Sequence, residues 1–158
     1  MQSFFPLELA PDIIDFHAVE LLRFPLIAKF YQAQGYNIKC GRQELILSLQ
    51  TRQQEILAAA RLLPLENGDY WLRNLLVAKI WREKGIGHKF MQQALIHMGD
   101  KNCYCFTLPE VEAFYRRLGF INLRTQDSPP AIADLAQRYE LRSRGWRLMG
   151  HGSDVVSI

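Results

Sequence analysis

The sequence predicts a mixed α/β fold, a mainly antiparallel central sheet flanked by helices with one parallel strand pair. Three features of the chain dictate it. Leu45, Leu47 and Leu49 alternate with Glu44, Ile46 and Ser48 at the period of a strand, and the apolar period becomes helical after Ile86. Between them, the run Leu75-Leu76-Val77-Ala78 is joined to that helix by the glycine-bearing turn Arg82-Glu83-Lys84-Gly85-Ile86-Gly87. A strand, a turn and a helix in that order make a crossover, which returns the next strand parallel to the first.

From the N-terminus, residues 1–15, with Pro6 and Pro11, are expected to form a loosely held arm, followed by a short strand around Phe16 to Leu22. From Pro25, the residues Leu26, Ile27, Phe30 and Tyr31 keep helical spacing, and Gly35 stops that first helix. The alternating segment from Glu44 is separated by the polar Thr51-Arg52-Gln53-Gln54 from Glu55 to Leu63, a hairpin. Asn67-Gly68 is a turn signal before Trp71 to Ala78, so the three strands form an antiparallel meander. Ile86, Phe90, Ala94 and Met98, flanked by Met91 and Leu95, cover one helix face that ends at Gly99. Asn102 to Thr107 is the strand parallel to the one ending at Ala78. Pro109 opens a helix through Leu118, Gly119 stops it, and Phe120 to Leu123 return to strand. Ser128-Pro129 starts a last helix with Ile132, Leu135, Ala136 and Tyr139 on one face, and Trp146 to Met149 form a final strand.

At 158 residues, 49% hydrophobic and 11% aromatic, the chain has the length of one domain and enough apolar side chains for its core. No repeat or long linker marks a boundary, so residues 1–158 are expected to be a single domain. A net charge of +3 is too small to argue for nucleic acid but suits an anionic small ligand. Arg138, Arg142, Arg144 and Arg147 also suit an ordinary solvated helix face, and a nucleic-acid partner is not expected. Three cysteines, an odd number, and a start without a basic segment point to a reducing, cytoplasmic setting. Cys103 and Cys105 lie two apart on a strand and so face one way, as core residues rather than a disulfide. No apolar run approaches the ~18 residues of a membrane span, and no membrane partner is expected. Oligomeric state is left open.

Gly85 and Gly87 remove side chains where phosphates press against backbone amides, and the helix that follows adds about half a positive charge at its N-terminus. Lys79, Arg82, Lys84, His88 and Lys89 lie around the same turn and can meet further phosphate charge. The Rossmann fingerprint lacks its third glycine and the Walker pattern its Gly-Lys-Ser/Thr, so both nucleotide folds are disfavoured. No Ser-His-Asp, Cys-His or metal-ligand constellation is visible, and no metal is expected.

Val77-Ala78-Lys79-Ile80-Trp81-Arg82-Glu83-Lys84-Gly85-Ile86-Gly87 resembles the acetyl-coenzyme A motif of the GNAT N-acetyltransferases, a strand ending in Val followed by Gln/Arg-x-x-Gly-x-Gly/Ala. Downstream, Ala113-Phe114-Tyr115-Arg116-Arg117-Leu118-Gly119-Phe120 is similar to that family's FYxxxGF helix end, and the resemblance extends from about Glu44 to Leu123. It implies the GNAT fold, with the parallel pair at the cofactor cleft, and an acyl-CoA dependent N-acyltransferase using acetyl-CoA. The acceptor would be a small-molecule or peptide amine. Substrate and cofactor would meet between the strand ending near Ala78 and the one starting near Asn102. Backbone groups of Val77 and Ala78 would pair with the pantetheine arm and acetyl carbonyl, the turn Lys79, Arg82, Glu83, Lys84, Gly85, Ile86, Gly87 with His88 would hold the diphosphate, and Tyr115 would stand near the thioester sulfur as the catalytic acid. Two positions depart from the pattern. Glu83 stands where Gly is frequent, and Leu108 where many members carry an Asn that contacts pantetheine. A non-catalytic acyl-CoA-binding module of the same fold is the alternative.

The implied reaction is attack of a neutral amine on a thioester. An amine of pKa ~10 is neutral in only about one molecule in a thousand at pH 7, so a base or a desolvating site is needed. Proton donation from Tyr115 at ~10 to a thiolate at ~8.5 runs uphill by roughly 2 kcal/mol. Glu44, Glu55, Glu66 and Asp69 lie near strand ends and read as solvated charges rather than as a base.

Overall fold

The computed structural model describes residues 14–142 and 145–155. The expected N-terminal arm lies outside them except for Ile14 and Asp15, which belong to the first strand. In chain order the elements are β1 (Ile14–Ala18), α1 (Phe24–Ala33), β2 (Leu45–Thr51), β3 (Ile56–Pro64), β4 (Tyr70–Val77), α2 (Ile86–Met98), β5 (Cys103–Thr107), α3 (Glu112–Arg117), β6 (Ile121–Asn122), α4 (Pro130–Arg142) and β7 (Arg147–His151). The seven strands form one sheet in the order β1-β2-β3-β4-β5-β7-β6. β4 and β5 are parallel, with Tyr70 opposite Cys103 and Trp71 opposite Tyr104, as the helical crossover between them requires. β1–β2, β2–β3, β5–β7 and β6–β7 are antiparallel. This is the mixed, helix-flanked sheet that the sequence predicts.

The chain divides into two compact units, one running to Leu63 and resuming over Arg73–His97, the other made of Pro64–Leu72 and the chain from Met98 onward. In the first unit α1 turns Phe24, Ile27, Phe30 and Tyr31 into a cluster with Ile46, Ala59 and Ala78. Pro25 sits in its first turn, where a missing N–H costs nothing. α2 buries Ile86, Phe90, Met91 and Ala94, and the Phe90 ring lies 6.0 Å from Phe16 of β1. Full burial of such a side chain contributes roughly 1.5–3 kcal/mol.

One charge interrupts this apolar interior. Arg61, in the middle of β3, is buried and donates from Nε and Nη2 to the Glu44 carboxylate at 2.7 and 2.8 Å, and from Nη1 to Asn74 Oδ1 at 2.8 Å. The Tyr31 hydroxyl donates to the Asn74 carbonyl at 2.6 Å. Asn74 lies within β4 with φ +52°, the left-handed region, which asparagine tolerates better than most residues because its short polar side chain bonds locally. Both its carbonyl and its side chain are held, so the irregularity in β4 has fixed partners. The same strand carries on to Val77.

In the second unit α3 and α4 pack on β5, β6 and β7, burying Tyr115, Leu118, Phe120, Ile132, Ala136 and Met149. Trp71, Phe106 and Tyr139 form an aromatic cluster in which Phe106 and Tyr139 stack 4.5 Å apart at 9°, with Trp71 edge-on to each at 6.3 Å. Asp69 is also buried here. It accepts from the Asn102 backbone N–H at 2.9 Å and from Asn102 Nδ2 at 3.1 Å.

Candidate functional site

The turn after β4 is built from short-range bonds. Ala78 leaves the strand with its N–H on the Leu57 carbonyl at 2.8 Å, and a single 3-10 turn over Lys79–Trp81 follows. The Lys79 N–H donates to Gln34 Oε1 at 2.9 Å, and Trp81 Nε1 donates to Glu55 Oε2 at 3.3 Å. Arg82 folds back, its Nε donating to the Val77 carbonyl at 2.9 Å, so that carbonyl is occupied by the chain itself. Glu83 and Gly85 both take left-handed φ, +63° and +77°. Gly85 adopts this without cost, whereas a residue with a Cβ pays roughly 1–2 kcal/mol. Glycine at position 83 would therefore match the backbone better than glutamate does.

Gly87 belongs to α2 and has no such φ; its use is the missing side chain. The first helical bond of α2 runs from the Lys89 N–H to the Gly85 carbonyl at 3.2 Å. Ahead of it the N–H groups of Ile86, Gly87 and His88 have no acceptor among the described residues, the ordinary state of a helix start. Ile86 is buried, so its side chain anchors the turn to the core, while Arg82, Glu83 and Gly85 are exposed and Lys84, Gly87 and His88 half-buried. The arrangement offers amide donors at a helix start with the cationic residues Arg82 and Lys84 next to them in the chain, the chemistry of an oxyanion site.

In the second unit Tyr115 sits on α3, buried, with Phe114 and Phe120 edge-on at 5.1 and 5.2 Å. Burial pushes its phenol well above the ordinary value, and the nearby Cys105 and Cys103 thiols act in the same direction. Its hydroxyl has no hydrogen-bond partner among the described residues, yet its oxygen is not sealed from solvent. Cys103 and Cys105 are buried on β5, Cys40 is half-buried, and all three are free thiols. Burial raises the pKa of each. Leu108, which closes β5, is exposed and precedes a 3-10 turn over Pro109–Val111.

Two of the carboxylates expected to be solvated are not. Glu44 is locked to Arg61, and Asp69 is buried on Asn102. Burial alone would raise the Glu44 pKa, but the Arg61 hydrogen bonds, the Gly41 N–H and the surrounding positive charge outweigh it and hold the carboxyl below its ordinary value. Glu55 and Glu66 remain exposed. The Arg61–Glu44–Asn74 network went unread in the sequence, although an arginine inside the run Leu57 to Leu63 was a signal that a partner must be buried with it.

The acetyltransferase (GNAT) domain model matches residues 44–122, half of the chain, and the chain belongs to that family. Solved structures share the fold. N-acetylglutamate synthase from Neisseria gonorrhoeae, complexed with coenzyme A and N-acetyl-glutamate, has a TM-score of 0.64 at 14% identity, over 87% of this chain and 34% of that one, so the present chain spans about a third of its length. The ribosomal-protein-S18-alanine N-acetyltransferase from Escherichia coli has a TM-score of 0.63 at 13% identity, over 92% and 100% of the two chains. A Mycobacterium tuberculosis protein in complex with CoA has a TM-score of 0.64 at 16% identity, over 88% and 99%. Comparison with curated protein sequences finds no match. No helix among the described residues is long and apolar enough to cross a membrane.

Proposed function

We propose that the protein transfers an acyl group, acetyl, from acetyl-CoA to a primary amine by direct attack in a ternary complex. The observation that carries this reading is the start of α2, where the N–H groups of Ile86, Gly87 and His88 have no acceptor among the described residues and sit beside Arg82 and Lys84. A diphosphate carries the charge and oxygens that such a turn accepts. Val77 then takes the pantetheine arm at its carbonyl in exchange for Arg82 Nε, which frees that guanidinium for the phosphates, while Ala78, its N–H on Leu57 and its carbonyl accepting from Trp81, lines the arm. Lys79, Lys84 and His88 face the phosphates as well, and Gly85 and Gly87 keep side chains out of the way. Glu83 works against them. Two relatives of the same fold were solved with coenzyme A, which supports the choice of cofactor.

In the reaction the amine nitrogen attacks the thioester carbonyl carbon, the C–S bond breaks, and the electron pair leaves on sulfur. Tyr115 supplies the proton. A phenol raised by burial is a weaker acid than the thiol it forms, so its proton moves as the C–S bond breaks rather than before. Glu44 and Asp69 are committed to Arg61 and Asn102, which leaves Glu55 and Glu66, or a water, to take the proton of the amine. The acceptor is a small-molecule or peptide amine, and three free thiols fit a reducing, cytoplasmic setting.

A second reading, a non-catalytic acyl-CoA-binding module, draws on the Glu83 carboxylate within the anion turn and on the raised Tyr115. Calorimetry with coenzyme A tests what the two share. Gly87 has an ordinary helical backbone, so Gly87→Val adds bulk over the amides without forcing φ, and affinity is expected to fall at least about tenfold with the fold intact. Unchanged affinity would remove the turn from the site. Thiol release from acetyl-CoA, measured over an amine panel, separates the two: amine-dependent release supports the enzyme, and binding without release supports the module.

A further inference from the structure

We propose that the second unit carries a binding site for a small molecule that bears an oxyanion, carboxylate or phosphate, on a flat apolar group. The site is a cavity of about 560 Å³ whose walls include Phe106, Tyr139, Trp146, Arg116, Arg124 and Arg147. That volume lies within the range of small-molecule pockets, roughly 300–1,000 Å³.

One side is apolar and flat. Phe106 of β5 and Tyr139 of α4 stack at 4.5 Å, and Trp146 stands edge-on to Tyr139 at 5.2 Å. All three rings are half-buried, each braced by a neighbour yet partly open, as an aromatic wall for a ligand must be. Facing chemistry comes from three guanidinium groups on three different segments, α3, the connection after β6, and β7. Their side chains are 58%, 57% and 53% exposed, while Glu112, also in the wall, is only 13% exposed.

The ion pairs do not consume this charge. Glu112 accepts from Arg116 Nη2 at 2.7 Å and from Arg147 Nε at 3.0 Å, and Asp127 accepts from Arg124 Nε at 2.8 Å. Asn122 Oδ1 also accepts from Arg116. Two carboxylates thus serve three cations, and the bonds to Arg124 and Arg147 engage only Nε, leaving both forks of Nη donors without a partner among the described residues. Arginines pinned through Nε with their Nη groups unspent are preorganised for bidentate capture of a carboxylate or phosphate. The site lies within one unit and does not depend on the acyl-transfer reading.

Calorimetry without acetyl-CoA tests it, using phenylacetate, phenyl phosphate and the neutral 2-phenylethanol. At least one anion is expected to bind with one-to-one stoichiometry, about tenfold or more tighter than the alcohol, and the tighter anion names the group. Arg147→Met leaves Glu112 paired with Arg116 and is expected to weaken that binding about tenfold. Arg124→Met is expected to do the same, and decides the matter should Arg147→Met fail to fold. Anions that bind no better than the alcohol, or as well to a folded variant as to the wild type, would overturn the proposal and leave the arginines as surface ion pairs.

Discussion

Tyr31 and Tyr115 are both buried phenols raised by desolvation, and they differ at the hydroxyl. Tyr31 donates to the Asn74 carbonyl, whereas Tyr115 has no partner among the described residues. A structural tyrosine pairs its hydroxyl; one that protonates a leaving group needs it unspent. Tyr115→Phe keeps the ring against Phe114 and Phe120 and is expected to lower kcat by roughly 10²–10⁴ while coenzyme A affinity holds. Because the phenol stays protonated through the ordinary range, the wild-type rate is expected to show no alkaline fall from this group below about pH 10. An unaltered kcat where chemistry limits the rate would return Tyr115 to the core. Glu44 gives a second test, on stability. Its folded pKa is depressed, so its contribution is complete above the ordinary carboxylate value near ~4.3 and is lost as pH falls through the lower folded value. Glu44→Gln leaves Arg61 buried without a counter-charge and is expected to cost about 3 kcal/mol at pH 7. Denaturant titrations of the two proteins should converge as pH drops below about 4; a gap that stays constant with pH would refute the linkage.

Periodicity locates the elements of the sheet more closely than it reports their burial. β2, β3, β4 and α2 fall where the apolar pattern puts them; α2 turns one stripe inward, whereas β2 and β3 are buried on both faces over nearly their whole length, the polar Ser48, Gln50 and Arg61 included. β1 is displaced: the sequence suggests Phe16 to Leu22, and the strand is Ile14–Ala18, since its limits follow from pairing Ile14 with Thr51 and Ala18 with Leu47 on β2. Leu21–Arg23 become a 3-10 turn instead. The helix expected from Pro109 begins as a 3-10 turn and is α-helical only over Glu112–Arg117. In the turn before α2 the glycine motif was legible, and the one signal for the left-handed φ of Glu83 was its place where the family often has glycine, since glutamate itself carries none. That φ yields a prediction. Glu83→Gly relieves the Cβ strain but gives the unfolded chain more freedom, two effects of about 1 kcal/mol that largely cancel. Stability is expected to change by less than about 1 kcal/mol, while loss of a carboxylate among phosphate-facing groups should tighten coenzyme A binding. Weaker binding of coenzyme A to Glu83→Gly in calorimetry would show that the carboxylate serves the site.

For the molecule as a whole, the proposed acetyl transfer has two routes, through the protein or directly between two bound substrates. A covalent relay needs a nucleophile that is ionised and reachable. Cys103 and Cys105 fail on both counts, being buried on β5 with thiols raised by desolvation, and the half-buried Cys40 is raised for the same reason despite the opposing charge of Arg61. The sequence already placed the strand pair facing one way as core residues; the sheet order, with β5 between β4 and β7, supplies the neighbouring strands. Direct transfer requires both substrates to be present before either product leaves. Initial rates measured against acetyl-CoA at several amine concentrations are therefore expected to give intersecting double-reciprocal lines. Cys40→Ala is expected to retain kcat within about twofold, and Cys103→Ala and Cys105→Ala to cost stability, about 1 kcal/mol each for the lost packing, rather than turnover. Parallel lines, together with an acetyl-thioester found by mass spectrometry on any of the three cysteines after incubation with acetyl-CoA alone, would overturn direct transfer and place the acyl group on the protein.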